Sequence, residues 1–243
     1  MIIGGLEKLT LLDFPDNLAT IVFTQGCNFR CHYCYNPMLV WPRIETTSPT
    51  GENNKKGHPL VKEEDLFLFL QERKGKIDGV VISGGEPTLH PDLPEFIAKI
   101  KAMDYVVKLD TNGTNPVMLA KLIEDKLIDY IAMDIKAPLD RYEEVVGAKV
   151  NLENLQKSVK MIMSSPVAYE FRSTLVPTLH NQEDIKKMGE WIKGARLWYL
   201  QKFKPDAELV NPEFQNLETF KDQELKDLAA LGSSYVERCQ ARI

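Results

Sequence analysis

Three of the four cysteines fall within eight residues, in the order Cys27-Asn28-Phe29-Arg30-Cys31-His32-Tyr33-Cys34, a C-x3-C-x2-C spacing. A secreted disulfide scaffold spreads its cysteines along the chain, whereas a tight set like this reads as a metal site. The apolar run 18–24 (LATIVFT) leads into the loop and reads as a buried strand. In an α/β barrel the loops that follow strands form the face where sites are built. Three thiolates can wrap one face of a cubane iron–sulfur cluster, which ordinarily takes four. One iron is then left open, and the amine and carboxylate of an amino acid can chelate it. The competing reading is a zinc site of these cysteines with His32 or another histidine. The fourth cysteine, Cys239, reads as a free or partly buried thiol.

The rest of the chain supplies the barrel that this reading needs. Strand-like runs at 18–24, 80–82, 105–109, 130–133, 168–176 and 197–202 alternate with helical runs at 63–73, 93–103, 116–125, 152–163 and 182–193. Such alternation argues for a parallel sheet with right-handed crossovers. Six units predict an incomplete TIM-like (β/α)6 barrel, formed by residues 1–243 as one domain. Residues 1–15 are expected to form a small N-terminal hairpin. The Pro-, Asn- and Lys-containing stretch 41–59 is expected to be a surface loop. Residues 203–243 form a C-terminal extension with a helix near 217–231 and a last strand at 234–238. With 44% hydrophobic residues there is material for a full core. A net charge of −5 offers no basic face, so nucleic acid is not expected as a partner. The N-terminal sequence has no signal-peptide pattern and no apolar run is long enough to span a membrane, so a cytoplasmic protein is expected.

Further chemistry-bearing residues stand at the ends of the expected strands. Ser83-Gly84-Gly85-Glu86-Pro87 follows the second, and its glycines let backbone approach a ligand closely. The carbonyls of Gly84 and Gly85, with Glu86, could receive an ammonium group, although the same residues suit an ordinary turn. Asp110-Thr111-Asn112-Gly113 follows the third strand and Asp134-Ile135-Lys136 the fourth. Asp134 and Lys136 share a face if the strand continues. Arg172 lies within the fifth. His58, His90 and His180 show no partner pattern, and His90 and His180 are expected in loops as solvated or capping residues.

These motifs together resemble the radical S-adenosylmethionine superfamily, including the aromatic Tyr33 just before the third cysteine. From Gly4-Gly5-Leu6 to Gln201-Lys202-Phe203 the chain is similar to the activating enzymes of glycyl radical enzymes. Within these it is most similar to the anaerobic ribonucleoside-triphosphate reductase activating proteins, with the pyruvate formate-lyase activating enzymes next. One departure is Tyr35, where many activases have histidine.

The resemblance implies a [4Fe–4S] cluster on Cys27, Cys31 and Cys34, and S-adenosylmethionine as cofactor. Tyr33, Gly84, Gly85, Glu86, Asp110, Asn112, Asp134, Lys136 and Arg172 would bind that cofactor, and a monovalent cation could sit near the aspartates. It also implies reductive cleavage to a 5′-deoxyadenosyl radical, a glycyl radical enzyme as protein substrate, and flavodoxin or ferredoxin as electron donor. The alternatives are a radical enzyme acting on a small molecule or peptide, like 7-carboxy-7-deazaguanine synthase, and a zinc-binding interaction protein.

Overall fold

A computed structural model describes residues 1–41 and 60–243. The expected loop at 41–59 therefore lies outside the described residues except for Trp41. Eight strands form one sheet in chain order. They are β1 (Ile3–Thr10), β2 (Ala19–Thr24), β3 (Gly79–Gly84), β4 (Val106–Thr111), β5 (Tyr130–Asp134), β6 (Ala168–Leu175), β7 (Trp198–Lys202) and β8 (Cys239–Arg242). The helices are α1 (Pro37–Val40), α2 (Glu63–Glu72), α3 (Leu93–Lys101), α4 (Pro116–Glu124), α5 (Tyr142–Val146), α6 (Leu152–Ser164), α7 (Gln182–Trp191) and α8 (Asp222–Gly232). This is the expected α/β class, a parallel-strand sheet of the partial TIM-like barrel kind.

By its contacts the chain divides into two compact units. Unit 1 comprises residues 1–28, 38–111 and 117–131. Its β2, β3 and β4 pair in parallel, with Ala19 opposite Gly79 and Gly79 opposite Val106. Val80, Val81 and Ile82 are wholly buried, which explains why these strands read as unbroken apolar runs and not as alternating ones. Phe14, Ala19, Ile21 and Val81 form a core cluster, with Phe23, Val106 and Tyr130 packed against it. Lys108 lies buried among these residues, its ammonium donating to the Asp13 carbonyl. The N-terminal hairpin differs from expectation. β1 pairs antiparallel with β2, Thr10 opposite Ala19, so the hairpin spans both strands instead of closing within residues 1–15.

Unit 2 comprises residues 29–37, 112–116 and 132–243. Here β6, β7 and β8 pair in parallel. On α6, Leu155, Ser158, Val159 and Ile162 are buried at helical spacing, and the Asn151 side chain caps the first turn. A capping box of Asn181 and Asp184 starts α7. The last strand lies at Cys239–Arg242, later than the expected 234–238. Ser234 and Tyr235 are taken up by the turn that ends α8, donating to the Leu231 and Gly232 carbonyls. Cys239 is buried, and burial pushes its thiol up to about 12, so it is an inert packing residue.

Candidate functional site

In unit 1 a first group of candidate residues is held by backbone contacts. The loop leaving β2 is pinned by the end of α1: the Gly26 N–H donates to the Leu39 carbonyl at 2.7 Å and the Cys27 N–H to the Val40 carbonyl at 3.1 Å. The Gln25 amide donates to the Met38 and Trp41 carbonyls. Gly84, the last residue of β3, and Gly85 beyond it are fitted against this loop. Gly84 has φ +111, and a Cβ on Gly85 would lie 2.0 Å from the Gly26 carbonyl oxygen. That same oxygen accepts from the Glu86 N–H at 2.8 Å. Only glycine allows such an approach. His90, expected to be solvated or capping, is half-buried with Nε2 3.1 Å from the Gln25 carbonyl oxygen.

Glu86 is buried, and one carboxylate oxygen accepts from three donors. These are the Thr88 N–H at 3.1 Å, the Thr88 hydroxyl at 2.6 Å and the Thr111 hydroxyl at 2.8 Å. Glu86 thus braces the turn against the end of β4. Asp110 accepts from the Ser83 hydroxyl at 3.0 Å and faces the Lys108 ammonium at 3.4 Å. The sequence pointed to Glu86 and Asp110 but not to Thr88, Thr111 or Lys108.

In unit 2 a second group of candidate residues is held by side chains and charge. Cys31 and Cys34 lie on the rest of the cysteine loop, where the Cys34 N–H donates to the Cys31 carbonyl at 3.0 Å. The C-terminal extension clasps this loop. The Val210 N–H donates to the Cys34 carbonyl at 2.9 Å, the Asn211 N–H donates to the His32 carbonyl at 3.1 Å, and Phe214 stacks on His32. Asp134, at the end of β5, accepts from Lys136 Nζ at 3.2 Å and from Arg172 Nε at 3.0 Å. Burial opposes ionisation of Asp134, but the Arg172 and Lys136 cations outweigh it and hold the carboxyl below its usual range. Burial likewise disfavours the Lys136 ammonium, and the adjacent Asp134 carboxylate more than restores it. Asp134 and Lys136, which the sequence pairs, and Arg172, which it names separately, are therefore brought together. Asn112 is buried and its side-chain oxygen accepts from the Thr114 N–H and hydroxyl, a turn-holding role.

Tyr33 is buried between Phe203 and His180, ring centroids 6.5 and 6.4 Å away. Its hydroxyl has no hydrogen-bond partner among the described residues. His180, expected to be solvated or capping, is instead buried and hydrogen-bonded through both ring nitrogens. No sequence pattern marks it, because its partner Lys136 is 44 residues away.

The donor set fits a thiolate-bound cluster. Cys27, Cys31 and Cys34 are all free of disulfides. Burial, partly offset by a backbone hydrogen bond at Asn36, raises the Cys34 thiol, so binding must displace its proton. Among the described residues no three His, Cys, Asp or Glu side chains already converge as a metal site. The loop instead offers three soft donors anchored through its backbone, by α1 at Cys27 and by the C-terminal extension at Cys34.

The profile of the Radical SAM superfamily matches residues 21–192. A protein of Methanocaldococcus jannaschii described as a candidate glycyl-radical enzyme activating enzyme is 32% identical over 99% of this chain and 95% of its own length. The pyruvate formate-lyase-activating enzyme of Clostridium pasteurianum is 30% identical over 94% of this chain and 91% of its own. Among solved structures, a domain of pyruvate-formate lyase-activating enzyme from Bacteroides vulgatus superposes with a TM-score of 0.53 at 16% identity. That match covers 68% of this chain and 98% of the domain. The superfamily match runs across both units and takes in the three-thiol loop, the glycine turn and the Asp134–Lys136–Arg172 cluster: the chain belongs to the Radical SAM superfamily and, within it, to the glycyl-radical enzyme activating enzymes.

Proposed function

We propose that the chain removes a hydrogen atom from the Cα of a glycine in a partner enzyme, and that this partner is an anaerobic ribonucleoside-triphosphate reductase. The observation that carries this reading is the end-to-end likeness to activating enzymes, 32% identity over 99% of the chain. The choice of reductase is supported by the motif run from Gly4-Gly5-Leu6 to Gln201-Lys202-Phe203. When bound, the [4Fe–4S] cluster and S-adenosylmethionine supply a one-electron reductive cleavage that yields methionine and a 5′-deoxyadenosyl radical.

The chain's own residues bind and orient. Cys27, Cys31 and Cys34 give up their protons as they take the cluster. Lys136, kept cationic by Asp134, offers its ammonium to the cofactor's carboxylate. Arg172 holds the other oxygen of Asp134, so the Lys136 charge is presented from a fixed base. The turn at Gly84 and Gly85 presents carbonyl groups to the cofactor's ammonium, and Asp110 accepts from its ribose hydroxyls. The buried ring of Tyr33 offers a dry face for the adenine. The electron comes from a low-potential protein such as flavodoxin or ferredoxin. Among the described residues no helix is long and apolar enough to cross a membrane.

The test is anaerobic. The protein is reconstituted with iron and sulfide, reduced with dithionite and given S-adenosylmethionine and the reductase. 5′-Deoxyadenosine and the electron paramagnetic resonance signal of a glycyl radical are then measured. Wild type is expected to give both, and Cys27→Ala, Cys31→Ala and Cys34→Ala neither. Cleavage with a radical only on pyruvate formate-lyase moves the partner, and no cleavage at all overturns the reading.

A further inference from the structure

His180 lies in the turn after β6, where the Leu179 and His180 N–H groups both donate to the Val176 carbonyl at 2.9 and 2.8 Å. Its ring folds back over that turn. Nδ1 lies 3.0 Å from the Val176 nitrogen and Nε2 lies 2.9 Å from the Lys136 carbonyl oxygen. A backbone N–H can only donate, so Nδ1 must accept, and the ring proton sits on Nε2, directed at Lys136. Both nitrogens are committed, and burial favours the uncharged ring. A ring in this state bridges two strand ends and has no nitrogen left to exchange a proton with a ligand.

We infer that His180 is a positioning residue for the cofactor, fixing the backbone of Lys136 and one wall of the Tyr33 ring, and this rests on the assignment of S-adenosylmethionine to that site. The Lys136 ammonium is 3.2 Å from Asp134, so any rotation of the Lys136 peptide displaces the charge offered to the cofactor. The ring edge of His180 meets Tyr33 at 74° with centroids 6.4 Å apart. One imidazole therefore sets both a cation and an aromatic surface. The turn itself does not depend on this bridge. Arg141 donates to the Leu179 carbonyl at 3.1 Å and pairs with Asp184 at 3.2 Å, and Asp184 in turn caps α7. Loss of the imidazole is thus felt at Lys136 and Tyr33 more than in the fold.

The substitutions His180→Asn and His180→Gln separate positioning from packing. Asparagine can still accept from the Val176 N–H but is too short to reach the Lys136 carbonyl, whereas glutamine can span both. The measurement is equilibrium binding of S-adenosylmethionine to cluster-loaded, unreduced protein, alongside the melting temperature and the KM and kcat for 5′-deoxyadenosine formation. His180→Asn is expected to bind about tenfold more weakly, with KM raised more than kcat is lowered. His180→Gln is expected to stay within about threefold of wild type, by the same reasoning. Equal affinities for the two variants, or losses that only follow melting temperature, overturn the inference. Cluster-loaded wild type that binds no S-adenosylmethionine overturns the site assignment itself.

Discussion

The turn at the end of β3, in unit 1, and the charge cluster after β5, in unit 2, are built by opposite means. The turn is a matter of space. Gly84 and Gly85 are pressed against the Thr24–Gly26 backbone, and Glu86 is tied by three short hydrogen bonds to Thr88 and Thr111. The cluster is a matter of charge. Asp134, Lys136 and Arg172 keep part of their surface open, and the pairing itself sets which group is ionised. A site held by packing tolerates no added atom. A site held by charge tolerates changes of shape but answers to protonation and to salt.

The sharpest way to break that contrast is Gly85→Ala. The new methyl would meet the Gly26 carbonyl oxygen at 2.0 Å, and both sides of the contact are backbone. A loss of about 3–5 kcal/mol in unfolding free energy is expected, with poor iron loading. Urea titration and iron per chain measure it. A variant as stable and as well loaded as wild type would show that the turn has room to spare.

Next in size is Asp134→Asn. It leaves Lys136 and Arg172 facing a neutral amide. Removing one partner of a fully buried pair costs about 3–5 kcal/mol, but Asp134 is 28% exposed, so about 1–2 kcal/mol is expected. The sign with pH follows from the depressed carboxyl. Its contribution is present above its ordinary value of 3.8 and is lost as pH falls through the lower folded value. The stability gap between wild type and Asp134→Asn should therefore be full at neutral pH and close in acid. A gap that stays constant down to the acid limit means that Asp134 acts by shape, and the contrast with the turn fails.

What the sequence reveals follows the same division. Strands β2 to β7 are legible because parallel strands buried on both faces read as apolar runs, and the helices between them carry regular apolar spacing. The glycines are legible because only one residue type suits them, and Asp134 with Lys136 because opposite charges two residues apart at a strand end can pair, although β5 stops at Asp134 and the strand does not continue to Lys136. Features made by distant contacts leave no such mark. His180 is set by Lys136, and the clasp of Val210 and Asn211 on the cysteine loop joins segments far apart in the chain. Helices α1 and α5 are too short to show a period. β8 was displaced from its expected place because a turn, and not a strand, uses the residues after α8.

The smallest expected effect tests how the turn is held. Thr111→Val removes one hydroxyl donor to Glu86 and keeps the side-chain shape, while the N–H and hydroxyl of Thr88 still donate. One hydrogen bond to a charged acceptor is worth about 1.5–3 kcal/mol, and two remaining donors reduce the loss to about 1 kcal/mol. The Thr111 and Thr88 hydroxyls converge on one oxygen of Glu86, so the losses in Thr88→Val and Thr111→Val should not add in the double variant. Thermal or urea unfolding of the four proteins measures the coupling. Additive losses would mean that the two threonines act independently, and Glu86 would then be a buried charge with separate contacts and not the brace of the glycine turn.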